Sequence, residues 1–248
     1  MRFEADDYQI VSLVLLIVLF SFGERLRPGW PVDRWKDLKL DLFSFAFALA
    51  INRVVTIIIR DGVGGVSSPP VEALQALPSA VRIALAILLV DFIIYWIHRS
   101  QHTFMTMWRT HAWHHSIEEM YWFAGFRTSF FHSLLNNIPQ VLIPVTLFHL
   151  SPVEAGIGYS IGAFIQFVEH TNWKLSFGPL NWLLVTPDYH RIHHAANLHR
   201  GKNLAGAFRI WDMMFGTYVD PSTVREDFEL GLGENIERKQ IPRLLAGV

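Results

Sequence analysis

The stretch Val81-Arg-Ile-Ala-Leu-Ala-Ile-Leu-Leu-Val-Asp91-Phe-Ile-Ile-Tyr95-Trp-Ile-His98-Arg-Ser-Gln-His102 decides the fold. Its first seventeen residues are apolar apart from Arg82 and Asp91, long enough to approach a bilayer span of ~20 residues. It ends in two histidines four residues apart, which share one helix face. A membrane helix therefore delivers a pair of metal-ligand side chains to its own end.

Four further apolar runs flank it. Tyr8 to Gly23 is uncharged, and Leu42 to Ile59 is apolar apart from Arg53. Phe130 to Val153 is uncharged but carries Pro139 and Pro144, which should kink it. Ala155 to Val168 is apolar again, after a tip at Pro152 and Glu154. Arg60 to Ser79 reads as a Gly-, Ser- and Pro-rich loop. The expectation is an all-α, multi-pass membrane helix bundle with about four to five transmembrane segments and a His-rich helical cap. Residues 1–80 would supply N-terminal helices and loops, and residues 81–248 the catalytic domain with its cap.

Composition agrees. Of 248 residues, 51% are hydrophobic and only 17% charged, less charge than a soluble domain usually carries. Nine Trp and nineteen Phe suit a chain in contact with headgroups and acyl chains. The net charge of −1 gives no footprint for nucleic acid. The acidic start, with no small-residue cleavage site after the first apolar run, argues for a retained helix rather than a secretory signal. Glu24 to Lys39 is the most basic short loop, which places it in the cytoplasm. Threading the apolar runs from there puts eleven of the twelve His at or near the cytoplasmic face and only His149 at the far tip.

Cysteine is absent, which excludes disulfides, thiolate-ligated haem and iron–sulfur clusters. Any metal must be held by His, Asp or Glu. Three windows carry the histidines: His98-Arg-Ser-Gln-His102, His111-Ala-Trp-His114-His115 and His190-Arg-Ile-His193-His194. Their fifteen positions hold eight of the twelve His, where random placement would put fewer than one. Within each window the spacing turns rings toward one face, and the adjacent pairs can splay toward two ions. Neutral imidazole suits iron, zinc and copper, and eight rings exceed what one ion uses, so two metals are the economical reading. His170 closes the fifth apolar run beside the cluster and is a ninth candidate ligand. His132 is a possible tenth. His199 reads as a surface residue and His149 as structural. Asp91, Tyr95, Glu118, Asp188 and Asp212 are candidates to brace the rings from behind, since a ligating His usually donates its other N–H to a carboxylate or carbonyl.

Residues 91–217 resemble the fatty acid hydroxylase/sterol desaturase superfamily. The likeness rests on Asp91-Phe-Ile-Ile-Tyr95-Trp-Ile-His98-Arg99, the three ordered His windows, Pro179-Leu-Asn-Trp and Thr186-Pro-Asp-Tyr-His190. It continues in Lys202-Asn203-Leu-Ala-Gly206 and Trp211-Asp212-Met-Met-Phe215-Gly216-Thr217. Arg127-Thr-Ser129 and Glu169-His170-Thr171 make it most similar to the alkylglycerol monooxygenase-like bacterial members, from which Tyr121 and His132 depart. The resemblance adds Asn203 to the bracing residues. It implies a di-iron, O2-using membrane enzyme that hydroxylates or desaturates a lipid. Sterols, acyl chains, carotenoids and ether lipids are all open as substrate. Electrons would come from a ferredoxin- or cytochrome-type protein or a reduced pterin outside this chain. A bacterial inner membrane or the ER membrane would house it, with the active site at the cytoplasmic face. Trp96, Phe123, Phe126 and Phe130 could line the substrate path, though bundle packing explains each equally well. A membrane zinc hydrolase and a non-catalytic metal-storing protein are the competing classes.

Overall fold

The computed structural model describes residues 5–62, 68–196, 201–224, 228–233, 236–237 and 239–248; His199 lies outside them. Ten α-helices occur among these residues. They are α1 (Ala5–Leu26), α2 (Leu38–Gly62), α3 (Pro69–Gln75), α4 (Ser79–Thr103), α5 (Met105–Ala112), α6 (Phe130–Thr146), α7 (Pro152–His170), α8 (Pro187–His193), α9 (Ile210–Phe215) and α10 (Ile241–Ala246). Extended backbone pairs only as isolated bridges among the described residues.

The long helices form the bundle. At about 1.5 Å per residue, the 25 residues of α4 reach ~38 Å, beyond the ~30 Å of a hydrocarbon core. Its last turns, which carry His98 and His102, can therefore emerge from the bilayer. Helices α2 and α4 are long and apolar enough to cross a membrane, and only 22% and 17% of their apolar windows are buried. That separates them from the core helices of a soluble protein. Helix α1 shows Ile10, Leu15, Val18 and Phe22 on the outside, and α7 shows Val153, Ile157 and Ile161. An apolar belt of this extent marks a surface that faces lipid. The protein is a membrane protein.

Helix α4 sits between α6 and α7. Helix α1 packs on α7 through Phe20, Phe164 and Phe167, and α2 packs on α6 through Ile51, Val55, Leu134 and Val141. Two predicted boundaries shift. The run Phe130 to Val153 is not one helix: α6 ends at Thr146, and His149 takes a left-handed φ of 45° in the turn before α7. Ser151 and Glu154 then start α7 with a reciprocal capping box, which sets the break. The 60–79 loop contains the short helix α3, with Pro69 and Pro70 in its first turn.

The cap is tied to the bundle by buried carboxylates that the sequence patterns do not single out. Glu24, at the end of α1, accepts hydrogen bonds from Trp122 N, Asn172 N and the Thr171 hydroxyl. Asp41, in the first turn of α2, accepts from Arg127 Nε and Nη2 at 2.8 and 2.6 Å and from the Tyr121 hydroxyl at 2.9 Å. Both members of the Asp41–Arg127 pair are buried, and Arg127 also reaches Asp37 at 3.2 Å, so removing Arg127 would strand the buried Asp41 carboxylate. Arg127 also donates to Ser116 O, which fixes the turn holding the second His window.

Candidate metal centre

Five elements deliver the rings. The end of α4 presents His98 and His102, and the last turn of α5 presents His111. A 3₁₀ turn, His114–Ser116, holds His114 and His115, because the α5 helix stops at Ala112. Helix α7 ends on His170, and α8 carries His190 and His193 with His194 as its C-cap.

Nine ring nitrogens collect into two groups. His98, His102, His111, His115 and His193 form one, and His114, His170, His190 and His194 form the other; within each group the ligand atoms lie within 4.8 Å of one another. The adjacent pairs do splay: His114 and His115 enter different groups, as do His193 and His194. His132 is in neither. Its ring stacks on His111, and its Nδ1 lies 3.0 Å from His111 Nδ1.

The hydrogen bonds fit a cation at each group. His98 Nδ1 donates to Leu204 O at 2.7 Å, His193 Nδ1 to Lys202 O at 2.9 Å, His114 Nδ1 to Arg127 O at 3.1 Å and His170 Nδ1 to Gln166 O at 3.2 Å. A neutral ring that donates from Nδ1 keeps only a lone pair at Nε2. His114 Nε2 and His170 Nε2 nevertheless face each other at 3.0 Å. Two lone pairs at that distance repel unless a positive ion sits between or beside them. His115 Nε2 faces both His102 Nε2 at 3.1 Å and His193 Nε2 at 3.0 Å, and one proton cannot serve both. Burial, reinforced by neighbouring rings, holds His111, His114, His115, His190 and His194 well below the ordinary His value of 6.5. Burial does the same for His193. The rings are thus neutral, the form that binds metal.

The bracing residues act one step further out than the sequence suggested. Asp91 does not touch a ring. It accepts from Ala207 N at 2.8 Å, Phe208 N at 3.2 Å and Trp211 Nε1 at 2.8 Å, fixing the cap loop to α4. Asp212 accepts from Leu204 N, Ala205 N and the Tyr189 hydroxyl. It thereby aims the Leu204 carbonyl that receives His98. Asn203, at a left-handed φ of 54°, bridges Tyr189 O and Val219 N in the same loop. The Tyr95 hydroxyl pairs with Thr217 and accepts from Arg99. Two expectations fail. Glu118 is exposed and pairs with Lys36 at 2.7 Å, past the turn that holds the second His window, and Asp188 is exposed in the first turn of α8, before His190. The carbonyl acceptors themselves carry no side-chain signature and could not be read from residue type.

A cavity of about 290 Å³ runs from the His groups into the bundle. His98, His111, His114, His170 and His190 form its inner end, and α2, α4, α6 and α7 form its walls. Of the four aromatic residues considered as lining, Phe126 borders it.

Residues 83–217 match the family model described as fatty acid hydroxylase. Alkylglycerol monooxygenase of Xenopus tropicalis is 36% identical over 54% of this chain and 30% of its own length. Ornithine lipid hydroxylase of Rhizobium tropici is 33% identical over 58% of this chain and 44% of its own. A putative Delta(7)-sterol-C5(6)-desaturase of Arabidopsis thaliana is 28% identical over 59% and 51%. The matched region thus spans about a third to a half of these relatives. No solved structure matches the chain. The family match covers all nine clustered histidines and more than half of the residues, and the chain belongs to the fatty acid hydroxylase family.

Proposed function

We propose that this chain is a multi-pass membrane di-iron oxygenase that hydroxylates, or desaturates, a C–H bond of a lipid. The observation that carries the reading is the pair of buried His groups at the inner end of a cavity walled by apolar helices. His98, His102, His111, His115 and His193 would hold one iron. His114, His170, His190 and His194 would hold the other. The iron pair, when bound, would supply O2 activation, chemistry that side chains lack.

The chain's own residues do the rest. Carbonyls 127, 166, 202 and 204 fix the rings. The cap loop, held by Asp91 and Asp212, covers the metal side and excludes water. The bundle admits a chain from the bilayer and points one carbon at the metals. Without cysteine the chain carries no cluster of its own, so electrons come from a separate protein or a reduced pterin. The basic loop after α1 supports a cytoplasmic site. The hydroxylases among the relatives support oxygen insertion, and the desaturase keeps hydrogen removal as the second outcome.

Lipid analysis of cells with and without the gene, paired with O2 uptake by the purified protein, tests this. One lipid class should gain one oxygen or lose two hydrogens, with O2 consumed in step. Stoichiometric zinc with no O2 uptake would instead identify a metallohydrolase.

A further inference from the structure

Away from the clustered histidines, the cavity is polar over part of its wall. Asn52 of α2, Asn137 and Gln140 of α6, and Tyr159 of α7 all line it. They fall within about a turn of one another on their helices. Asn52 Nδ2 reaches Asn137 Oδ1 at 3.4 Å, and Gln140 is one turn further on. Across the gap, Gln140 Oε1 is 4.0 Å from where a Cβ on Gly162 would stand, and Tyr159 is one turn from Gly162. Gln140 is eight residues past His132, and Gly162 is eight residues before His170. Helical rise then puts Gln140 of this belt about 12 Å from His132 and Gly162 about 12 Å from His170, with Asn137 nearer and Tyr159 farther.

These groups are underused. Gln140 and the Tyr159 hydroxyl make no hydrogen bond among the described residues; Asn52 Oδ1 accepts from the Thr56 hydroxyl at 3.2 Å, and the Asn52–Asn137 contact is long. Gln140 is exposed and the other three are half-buried, so their spare donors are open to a molecule in the cavity. Polar side chains at membrane depth that face a cavity mark function by default. The glycines opposite add to the case. Gly158 would meet nothing within 4 Å if it carried a Cβ, so the seam between α6 and α7 is open beside Gln140. No Asp, Glu, Lys or Arg belongs to the belt, which lacks the counter-charge that an ionic group would need.

Building on the reading of this cavity as the substrate tunnel, we infer that Asn52, Asn137, Gln140 and Tyr159 form a subsite for a neutral oxygen function of the lipid. A carbonyl, ether or hydroxyl part-way along the molecule would accept from the amide N–H groups and the phenol. Held at Gln140, about 12 Å along α6 from His132, it would fix which carbon lies at the metals. The preferred substrate is then an oxygen-bearing lipid rather than a plain hydrocarbon chain. Specificity arises because a site built to hydrogen-bond loses more on the analogue lacking the group than an apolar wall does.

The test uses two probes of equal length, octadecan-9-one and octadecane, offered together to the full chain in nanodiscs, with bound ligand counted by native mass spectrometry. Wild type should favour the ketone by about tenfold, the worth of one or two hydrogen bonds. Gln140→Leu with Asn137→Leu should bring the ratio close to one while octadecane still binds, which also reports an intact cavity. Should that variant fail to fold, Tyr159→Phe, which removes one oxygen atom, must lower the ratio about threefold. Equal binding of the two probes by wild type, or a ratio unchanged in any folded variant, overturns the subsite. Metal content and O2 uptake, measured on the same samples, test the oxygenase reading separately.

Discussion

The two His groups share the second and third windows but are held by different means. The five-His group, His98, His102, His111, His115 and His193, has two rings anchored on the cap loop through Leu204 O and Lys202 O. That loop is more than a hundred residues from α4 and owes its place to Asp91 and Asp212. The four-His group is anchored on Arg127 O and on Gln166 O, one turn back on the helix that carries His170. All four of its rings are buried, whereas His98 and His102 are only partly so. One group thus depends on long-range closure of the cap and the other on local backbone and tight packing. Each should fail to a different lesion.

The largest effect falls on the four-His group. A Cβ at Gly125 would lie 2.5 Å from His170 Cγ and 2.8 Å from His170 Cβ, too close for either to yield cheaply. Gly125→Ala should displace the His170 ring, cut the metal content by about half and lower turnover by more than about 100-fold. Metal analysis of the purified variant checks this, and an unchanged content would refute the close approach as a constraint.

Asp212→Asn is the matching lesion on the five-His side. It puts an amide N–H₂ against the donors that the carboxylate now receives, releasing the Leu204 carbonyl from its aim at His98. The affinity of one metal should fall about 10- to 100-fold while the other stays bound. Titration with a chelator would show one early and one late release. Simultaneous release would mean that the groups are not separately held.

Acid should act on both groups together. The folded chain depresses the pKa of His111, His114, His115, His190, His193 and His194, chiefly through burial. The unfolded chain then binds more protons below the ordinary value of 6.5, so stability rises with pH there. It is present above that value and lost progressively as pH falls beneath it. Metal-stripped protein followed by thermal unfolding should lose Tm steadily from pH 7 to pH 5. A flat profile would mean that the rings are not neutral in the fold.

The smallest effect separates the ligands from their neighbours. His132 stacks on His111 without joining either group. His132→Gln should keep both metals and slow turnover by about tenfold or less, through His111. Loss of one metal would instead make His132 a ligand.

Sequence spacing made the three windows legible because a helix turns every 3.6 residues and the rings lie on consecutive turns. The splay of His114 and His115 followed from the same geometry, although a 3₁₀ turn rather than α5 carries them. Bracing was harder to read. Asp91 shares a face with His98, yet its carboxylate bonds the cap backbone at 207 and 208, a contact set by chain closure that no local periodicity encodes. Glu118 and Asp188 illustrate the opposite error, because closeness in sequence says little when the next residue turns to solvent. Glu24, at the edge of the basic loop, and Asp41 are buried anchors that no local pattern marks, since only the fold brings Asn172 and Arg127 to them.

Metal stoichiometry and identity in the purified, full chain test the central claim most directly. The account predicts about two irons per chain, with a Mössbauer spectrum of nitrogen-rich ligation. A single metal per chain, or stoichiometric zinc, would contradict it.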